Sequence, residues 1–66
     1  MTKKEFSIKI LRCSYGLWRA VLVGERNLGY KRAQTAAKVL DTSCDIWMDP
    51  ERLADRREAW KNFGGR

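Results

Sequence analysis

The sequence predicts a small all-α helical bundle, formed by a single domain over residues 1–66. Apolar side chains recur at helical spacing in three successive stretches, and Ser, Gly or Asp-Pro residues mark the boundaries of those stretches. A chain of 66 residues can enclose one modest core. A hydrophobic content of 44%, with three Trp, two Tyr and two Phe, is enough for a folded module and argues against a disordered chain.

Residues 3–11 fit two patterns. Phe6, Ile8 and Ile10 alternate with polar residues as in a strand, while Phe6 and Ile10 also have helical spacing, with Leu11 beside them. A lone strand would have no partner, so we expect a helix here. An N-terminal strand or arm is the alternative.

Ser14 predicts the start of a helix from Tyr15 to about Val23, because its hydroxyl can cap the first turn. At 100° per residue this helix has an inner side of Leu17, Trp18 and Val21 and an outer side of Tyr15, Gly16, Arg19 and Val23. A glycine inside a helix costs about 1 kcal/mol relative to alanine. Gly16 would allow a close approach to another molecule, and a frayed first turn is the alternative explanation.

Gly24 ends that helix, and Arg26 and Asn27 follow in a loop. The next helix is expected at about Tyr30 to Leu40, with Ala33, Ala36, Ala37 and Leu40 on its buried face. Lys31 and Arg32 fall in its first turn, where cations oppose the helix dipole. These two side chains are therefore better suited to phosphate contacts than to stabilising their own helix.

The last helix is predicted over residues 50–63. Asp41-Thr42-Ser43 forms a turn, Ile46 and Trp47 start a short apolar piece, and Asp49-Pro50 opens the helix. Its apolar stripe consists of Leu53, Trp60 and Phe63, with Arg56 or Arg57 between them. The stripe either packs on its own domain or forms a surface for a second subunit or a partner protein.

The net charge of +6 lies in the first half of the chain. Residues 1–33 carry eight basic and two acidic side chains, whereas residues 34–66 carry six of each. A one-sided basic surface favours nucleic acid as a partner first and an anionic membrane second.

Several function classes are disfavoured. The chain has no His, its two Cys are not a CxxC pair, and no nucleophile–base pair or Gly-rich phosphate loop is visible. Asp45 and Asp49 are better explained as helix caps than as a catalytic pair. We therefore expect no metal, no cofactor and no enzymatic activity. No membrane span or signal peptide is visible, so we expect a cytoplasmic protein with reduced, partly buried thiols.

Residues 6–48 resemble the lambda-repressor-like (Cro/repressor, XRE-type) helix-turn-helix regulators. The more specific part runs from Gly24 to Trp47. The matching positions are Ser14, Trp18, Val21, Gly24-Glu25-Arg26-Asn27-Leu28, Ala33, Ala36-Ala37, Leu40-Asp41-Thr42-Ser43 and Ile46-Trp47.

The resemblance implies roles for individual residues. Ser14 would cap the recognition helix, while Tyr15, Gly16 and Arg19 would face the bases of the major groove. Leu11 and Cys13 would flank the tight turn. Arg26 and Asn27 would lie in the loop that contacts phosphates. Together with Lys31 and Arg32, assigned from their place in the first turn of a helix, the residues expected to bind phosphate are Ser14, Arg12, Arg26, Asn27, Lys31 and Arg32.

Two positions depart from the family pattern: a small residue is usual at Ile8, and Gly is usual at Arg12. The family's helix before this segment has no room ahead of Phe6. In a second register Tyr30–Leu40 would be the recognition helix, but its Ala-rich face is more typical of a core.

These observations together predict a double-stranded DNA-binding transcriptional regulator, of the kind found in phages or mobile elements. A single module contacts few base pairs, so a homodimer on a palindromic site is expected. One alternative is an antitoxin-type module that binds a protein partner through Leu53, Trp60 and Phe63. Another is an RNA-binding protein in which Tyr15, Trp18 or Tyr30 stacks on bases.

Overall fold

A computed structural model describes all 66 residues, and its regular structure is entirely helical. A short helix α1 (Lys3–Glu5) continues directly into a π-helical segment (Phe6–Leu11). Three α-helices follow, α2 (Tyr15–Leu22), α3 (Tyr30–Leu40) and α4 (Asp45–Met48). A 3-10 turn (Pro50–Arg52) leads into α5 (Leu53–Asn62). The predicted all-α class is confirmed, and the alternative of an N-terminal strand is wrong.

The π-helical segment explains why the N-terminal pattern was ambiguous. Its hydrogen bonds span five residues, as in the bond from the Arg12 N–H to the Ser7 carbonyl. Residues five apart therefore share a face, and Phe6 and Leu11 are both buried while Ile8 is 53% exposed. Neither a two-residue nor a 3.6-residue period describes such a segment.

Arg12 ends the π-helical segment in the left-handed region, with φ of 53°. This conformation costs a residue other than glycine about 1–2 kcal/mol. Arg12 thus takes a backbone conformation that glycine adopts at little cost. The following residues Cys13 and Ser14 complete a three-residue turn into α2.

The boundaries of α2 and α3 follow the predicted caps. The Ser14 hydroxyl accepts a hydrogen bond from the Leu17 N–H at 3.1 Å, and Gly24 follows α2 with φ of 84°. α3 spans the predicted residues and buries its predicted Ala and Leu face. It ends at Asp41, which is left-handed with φ of 56°.

The second half of the chain closes the fold over an aromatic core. Trp18 lies at its centre, with ring centroids 4.8 Å from Phe6, 5.4 Å from Trp47 and 5.5 Å from Trp60. The Trp47 indole donates to the Thr42 hydroxyl at 2.8 Å, whereas the buried indole nitrogens of Trp18 and Trp60 have no hydrogen-bond partner. This cluster fixes the inner side of α2.

Local contacts fix the 3-10 turn before α5 and the tail after it. The Asp49 carboxylate accepts from the Glu51 N–H at 3.0 Å, as predicted for a cap. After α5 the backbone turns back across Trp60, and a Cβ placed on Gly65 would lie 2.0 Å from the Trp60 ring. Only glycine fits this crossing without a shift of the ring or the tail.

Candidate nucleic-acid interface

The outer face of α2, formed by Tyr15, Gly16, Arg19 and Val23, is exposed. Its inner side buries Trp18 and Val21 completely. The two-sided pattern predicted from the sequence therefore holds in the fold. The Arg19 guanidinium carbon lies 5.7 Å from the centre of the Tyr15 ring, within the range of a cation–π contact. That contact holds two of the three predicted base-contacting residues next to each other.

Gly16 has no internal packing role. A Cβ built on it meets no atom within 4 Å, so alanine would fit. The first turn of α2 is intact and capped by Ser14, so fraying does not account for the glycine either. What the missing side chain provides is open space on the outer face of α2, next to Arg19.

The loop after α2 adds a basic and an acidic side chain to this surface. One shallow depression is lined by Gly16, Arg19, Ala20, Val23 and Glu25. A second is lined by Ser14, Gly16, Leu17, Ala20, Glu25 and Arg26. Arg26 thus lies beside the first half of α2. Glu25 borders both depressions and was not among the predicted site residues.

α3 contributes a second basic group at the start of α2. The Arg32 side chain donates to the carbonyls of Leu11 and Arg12, each at 3.4 Å, and so reaches the turn before Ser14. Burial raises the pKa of the Cys13 thiol in this turn, and the nearby charge of Arg32 opposes the rise. Lys31 is exposed in the same first turn of α3, whose N-terminus has no side-chain cap.

Asn27 is fixed by an arginine that sequence analysis did not assign to the site. Arg56 is fully buried, and its guanidinium donates to the Asn27 Oδ1 at 2.8 Å. It also donates to the carbonyls of Val21 at 2.9 Å, Arg26 at 3.1 Å and Asp49 at 3.1 Å, and to that of Ile46. We call this group the Arg56 cluster.

Helical spacing put Arg56 or Arg57 in line with Leu53 and Trp60, but no local signal identified Arg56 as the buried one. It is one of two adjacent arginines on a helix, and a charged side chain is the residue least expected in a core. Burial lowers the pKa of its guanidinium, an effect opposed by the charge of Asp49. The cluster joins α5 to the C-terminal end of α2 and to the loop that follows it.

The burial of Arg56 sharpens the charge asymmetry of the surface. The six basic side chains of residues 34–66 balance six acidic ones, and one of the six, Arg56, is inside the protein. The exposed charge of that half is therefore five basic minus six acidic, or −1. The side chains that give residues 1–33 their net charge of +6 remain in contact with solvent.

The predicted partner surface on α5 is corrected for Trp60. Trp60 is 6% exposed, and the centroid of its ring lies 5.1 Å from that of the Phe6 ring, so it belongs to the domain's own core. Leu53 is half-buried and lies against Gly24. Phe63 is 36% exposed and rests on the Phe6 and Trp60 rings. The sequence left two outcomes open for this stripe, packing on its own domain or contact with a partner, and Trp60 packs on its own domain.

No group of three or more His, Cys, Asp or Glu side chains is arranged to hold a metal ion. None of the helices combines the length and apolar character that crossing a membrane requires. Comparisons with protein-family models, with curated proteins and with solved structures find no match.

Proposed function

We propose that this protein is a sequence-specific double-stranded DNA-binding transcriptional regulator that acts in the cytoplasm, of the type that phages and mobile elements encode. The observation that carries the proposal is the outer face of α2. It presents an arginine beside an aromatic ring and a glycine with free space around it. Arg12, Arg26 and Arg32 surround the start of the same helix.

The chemistry of the outer face suits the major groove. An arginine can donate two hydrogen bonds to the O6 and N7 acceptors of guanine, and Tyr15 and Val23 offer apolar contacts for a thymine methyl group. Gly16 would let a base edge or sugar approach the helix backbone closely. Arg19 is thus the residue we assign to guanine recognition.

The surrounding cations suit the DNA backbone. Arg12, Arg26, Lys31 and Arg32 would bind phosphate oxygens, and such contacts supply affinity that is independent of sequence and falls with salt. The uncapped N-terminus of α3 adds backbone N–H groups that favour an anion. Two copies on a two-fold symmetric site would each contact one half-site and so double the number of base pairs recognised.

The alternatives have less support. In the second register α3 would enter the groove, but the Gln34 amide already donates to the Tyr30 hydroxyl and the Thr35 hydroxyl to the Lys31 carbonyl. RNA stacking by Trp18 and partner binding by Trp60 both conflict with the burial of these rings. Leu53 and Phe63 would remain for a partner protein.

The test is selection of duplexes from a random DNA library at two salt concentrations. We expect enrichment of a two-fold symmetric site containing guanine, with affinity that falls steeply as salt rises. Binding that depends on salt but enriches no sequence would contradict sequence-specific regulation. Selection on a single-stranded RNA library provides the matched comparison, and stronger enrichment there would favour the RNA-binding alternative.

A further inference from the structure

The Arg56 cluster uses the full donor capacity of one guanidinium. Arginine has five N–H donors and no acceptor, and five acceptors from three parts of the chain surround Arg56. Four are backbone carbonyls, and one of them, that of Val21, lies in the last turn of α2. The Val21 carbonyl lies at the negative end of the α2 dipole, and the four carbonyls together solvate a buried cation that has no bonded carboxylate.

The fifth acceptor is the side chain of Asn27, and this contact fixes which way the amide points. A guanidinium can only donate, so Asn27 must turn its oxygen toward Arg56. The 2.8 Å bond has that sense, from the Arg56 Nη2 to the Asn27 Oδ1. The Asn27 Nδ2 therefore points away from Arg56, and Asn27 itself is exposed.

The same cluster sets the position of the preceding residue. Arg56 Nη1 donates to the Arg26 carbonyl at 3.1 Å and to the Val21 carbonyl at 2.9 Å. It thereby ties the loop backbone to the end of α2. The Arg26 side chain lines the depression beside Ser14 and Gly16. One buried side chain on α5 thus governs the geometry of the loop next to the outer face of α2.

We propose that Arg56 is a positioning residue that makes Asn27 a hydrogen-bond donor for a phosphodiester oxygen. Because Oδ1 accepts from the buried Arg56, the two N–H groups of Nδ2 are directed toward solvent. There they can donate to an acceptor such as a phosphate oxygen, whereas a ligand group that is itself a donor would find no acceptor. The inference rests on the proposed function and adds to it the identity of the atom that contacts the DNA backbone and the residue that orients it.

Asn27→Asp tests this assignment without removing Arg56. Aspartate has the same shape, and one carboxylate oxygen still accepts from Arg56, so the fold keeps its cluster. The other oxygen replaces the outward N–H groups and repels phosphate. Asn62→Asp is the matched control, because it makes the same chemical change at an exposed position at the end of α5.

We expect Asn27→Asp to melt at or above the wild-type temperature and to bind the selected duplex about 10- to 100-fold more weakly. Asn62→Asp should weaken binding by less than about threefold, as a rim charge does. In ¹⁵N spectra of the wild type, the Asn27 side-chain amide signal should shift when the duplex is added.

Two results would overturn the inference. One is equal affinity for the two aspartate variants, and the other is a melting temperature of Asn27→Asp several degrees below that of Asn62→Asp. If either occurs while Arg19→Ala still loses site preference, the inference fails and the proposed function stands. If the wild type binds no duplex at all, the proposed function fails and this inference fails with it.

Discussion

The outer face of α2 and the Arg56 cluster at the end of the same helix both depend on an arginine, in opposite environments. Arg19 is exposed, and its guanidinium lies over the Tyr15 ring. Arg56 has no exposed surface, and protein atoms accept all of its hydrogen bonds. An arginine whose donors are used inside the fold stabilises the protein, whereas one whose donors face solvent can bind an external anion or base. The count of basic residues in a sequence does not separate these two uses.

Among the substitutions that test this difference, Arg56→Met should have the largest effect on stability. The substitution keeps much of the side-chain volume but removes the donors of five hydrogen bonds, to four backbone carbonyls and to the Asn27 Oδ1. We expect a loss of about 3–5 kcal/mol in the free energy of unfolding, measured by urea denaturation with circular dichroism. A domain of 66 residues has a total stability of about 3–10 kcal/mol, so much of it would be lost.

Arg57→Met is the control for that measurement, since Arg57 is the exposed neighbour of Arg56 on α5. Its free energy of unfolding should stay within about 0.5 kcal/mol of the wild-type value. Similar losses for both variants would mean that burial of the guanidinium does not distinguish them.

Arg19→Ala tests the role of the exposed arginine. We expect the preference for the selected site over random duplex to fall by about 1–3 kcal/mol, because one bidentate base contact is removed. Thermal stability should change little, since the side chain is exposed. Competition binding with fluorescent duplexes measures the preference, and Arg57→Ala is the matched control. A variant that retains the full preference would show that α2 is not the recognition helix.

The two glycines Gly16 and Gly65 differ in the same way as the two arginines. Gly65→Ala should destabilise the protein by about 1–3 kcal/mol, because the new methyl group would overlap the Trp60 ring. Gly16→Ala should instead stabilise it, by up to about 1 kcal/mol, and weaken DNA binding. Melting curves and duplex titrations of both variants would test this, and tighter DNA binding by Gly16→Ala would refute the role given to its open space.

The smallest expected effect lies at the N-terminal cap. The Glu5 carboxylate accepts hydrogen bonds from the Thr2 N–H and hydroxyl, and these bonds lower its pKa below the ordinary value of 4.5. A lowered pKa in the folded state stabilises the fold above the ordinary pKa, and this contribution disappears as pH falls through the folded value. The melting temperature of Glu5→Gln should therefore approach that of wild type as pH drops from 7 to 3. A gap that stays constant across this range would contradict the cap.

Sequence reasoning succeeded where the signals were local. The hydroxyl of Ser14, the left-handed Gly24 and the Asp49 cap each act within a few residues of their own position, and the bounds of α3 followed from its Ala and Leu spacing. The exposed outer face of α2 was predictable for the same reason, because helical periodicity alone separates it from Trp18.

The predictions were incomplete where distant residues decide the outcome. The π-helical geometry of Phe6–Leu11 has a period that standard helix and strand patterns do not contain. Arg56 is buried because carbonyls from three separate segments meet around it. Trp60 is buried because it packs on the rings of Phe6 and Trp18, which lie 54 and 42 positions earlier in the chain. Such arrangements become visible only when the elements are packed together.

The aromatic core has an optical consequence. Three indoles lie in the buried interior, with Trp18 at 5.4 Å and 5.5 Å from the other two, so excitation energy absorbed by one can pass readily to its neighbours. Their emission should be blue-shifted in the folded protein and move to longer wavelength when the core opens. Because Trp18 is on the inner side of α2, a ligand on the opposite side would leave that wavelength nearly unchanged. The protein therefore carries its own fluorescent reporter, which responds to loss of the core and not to occupancy of the outer face.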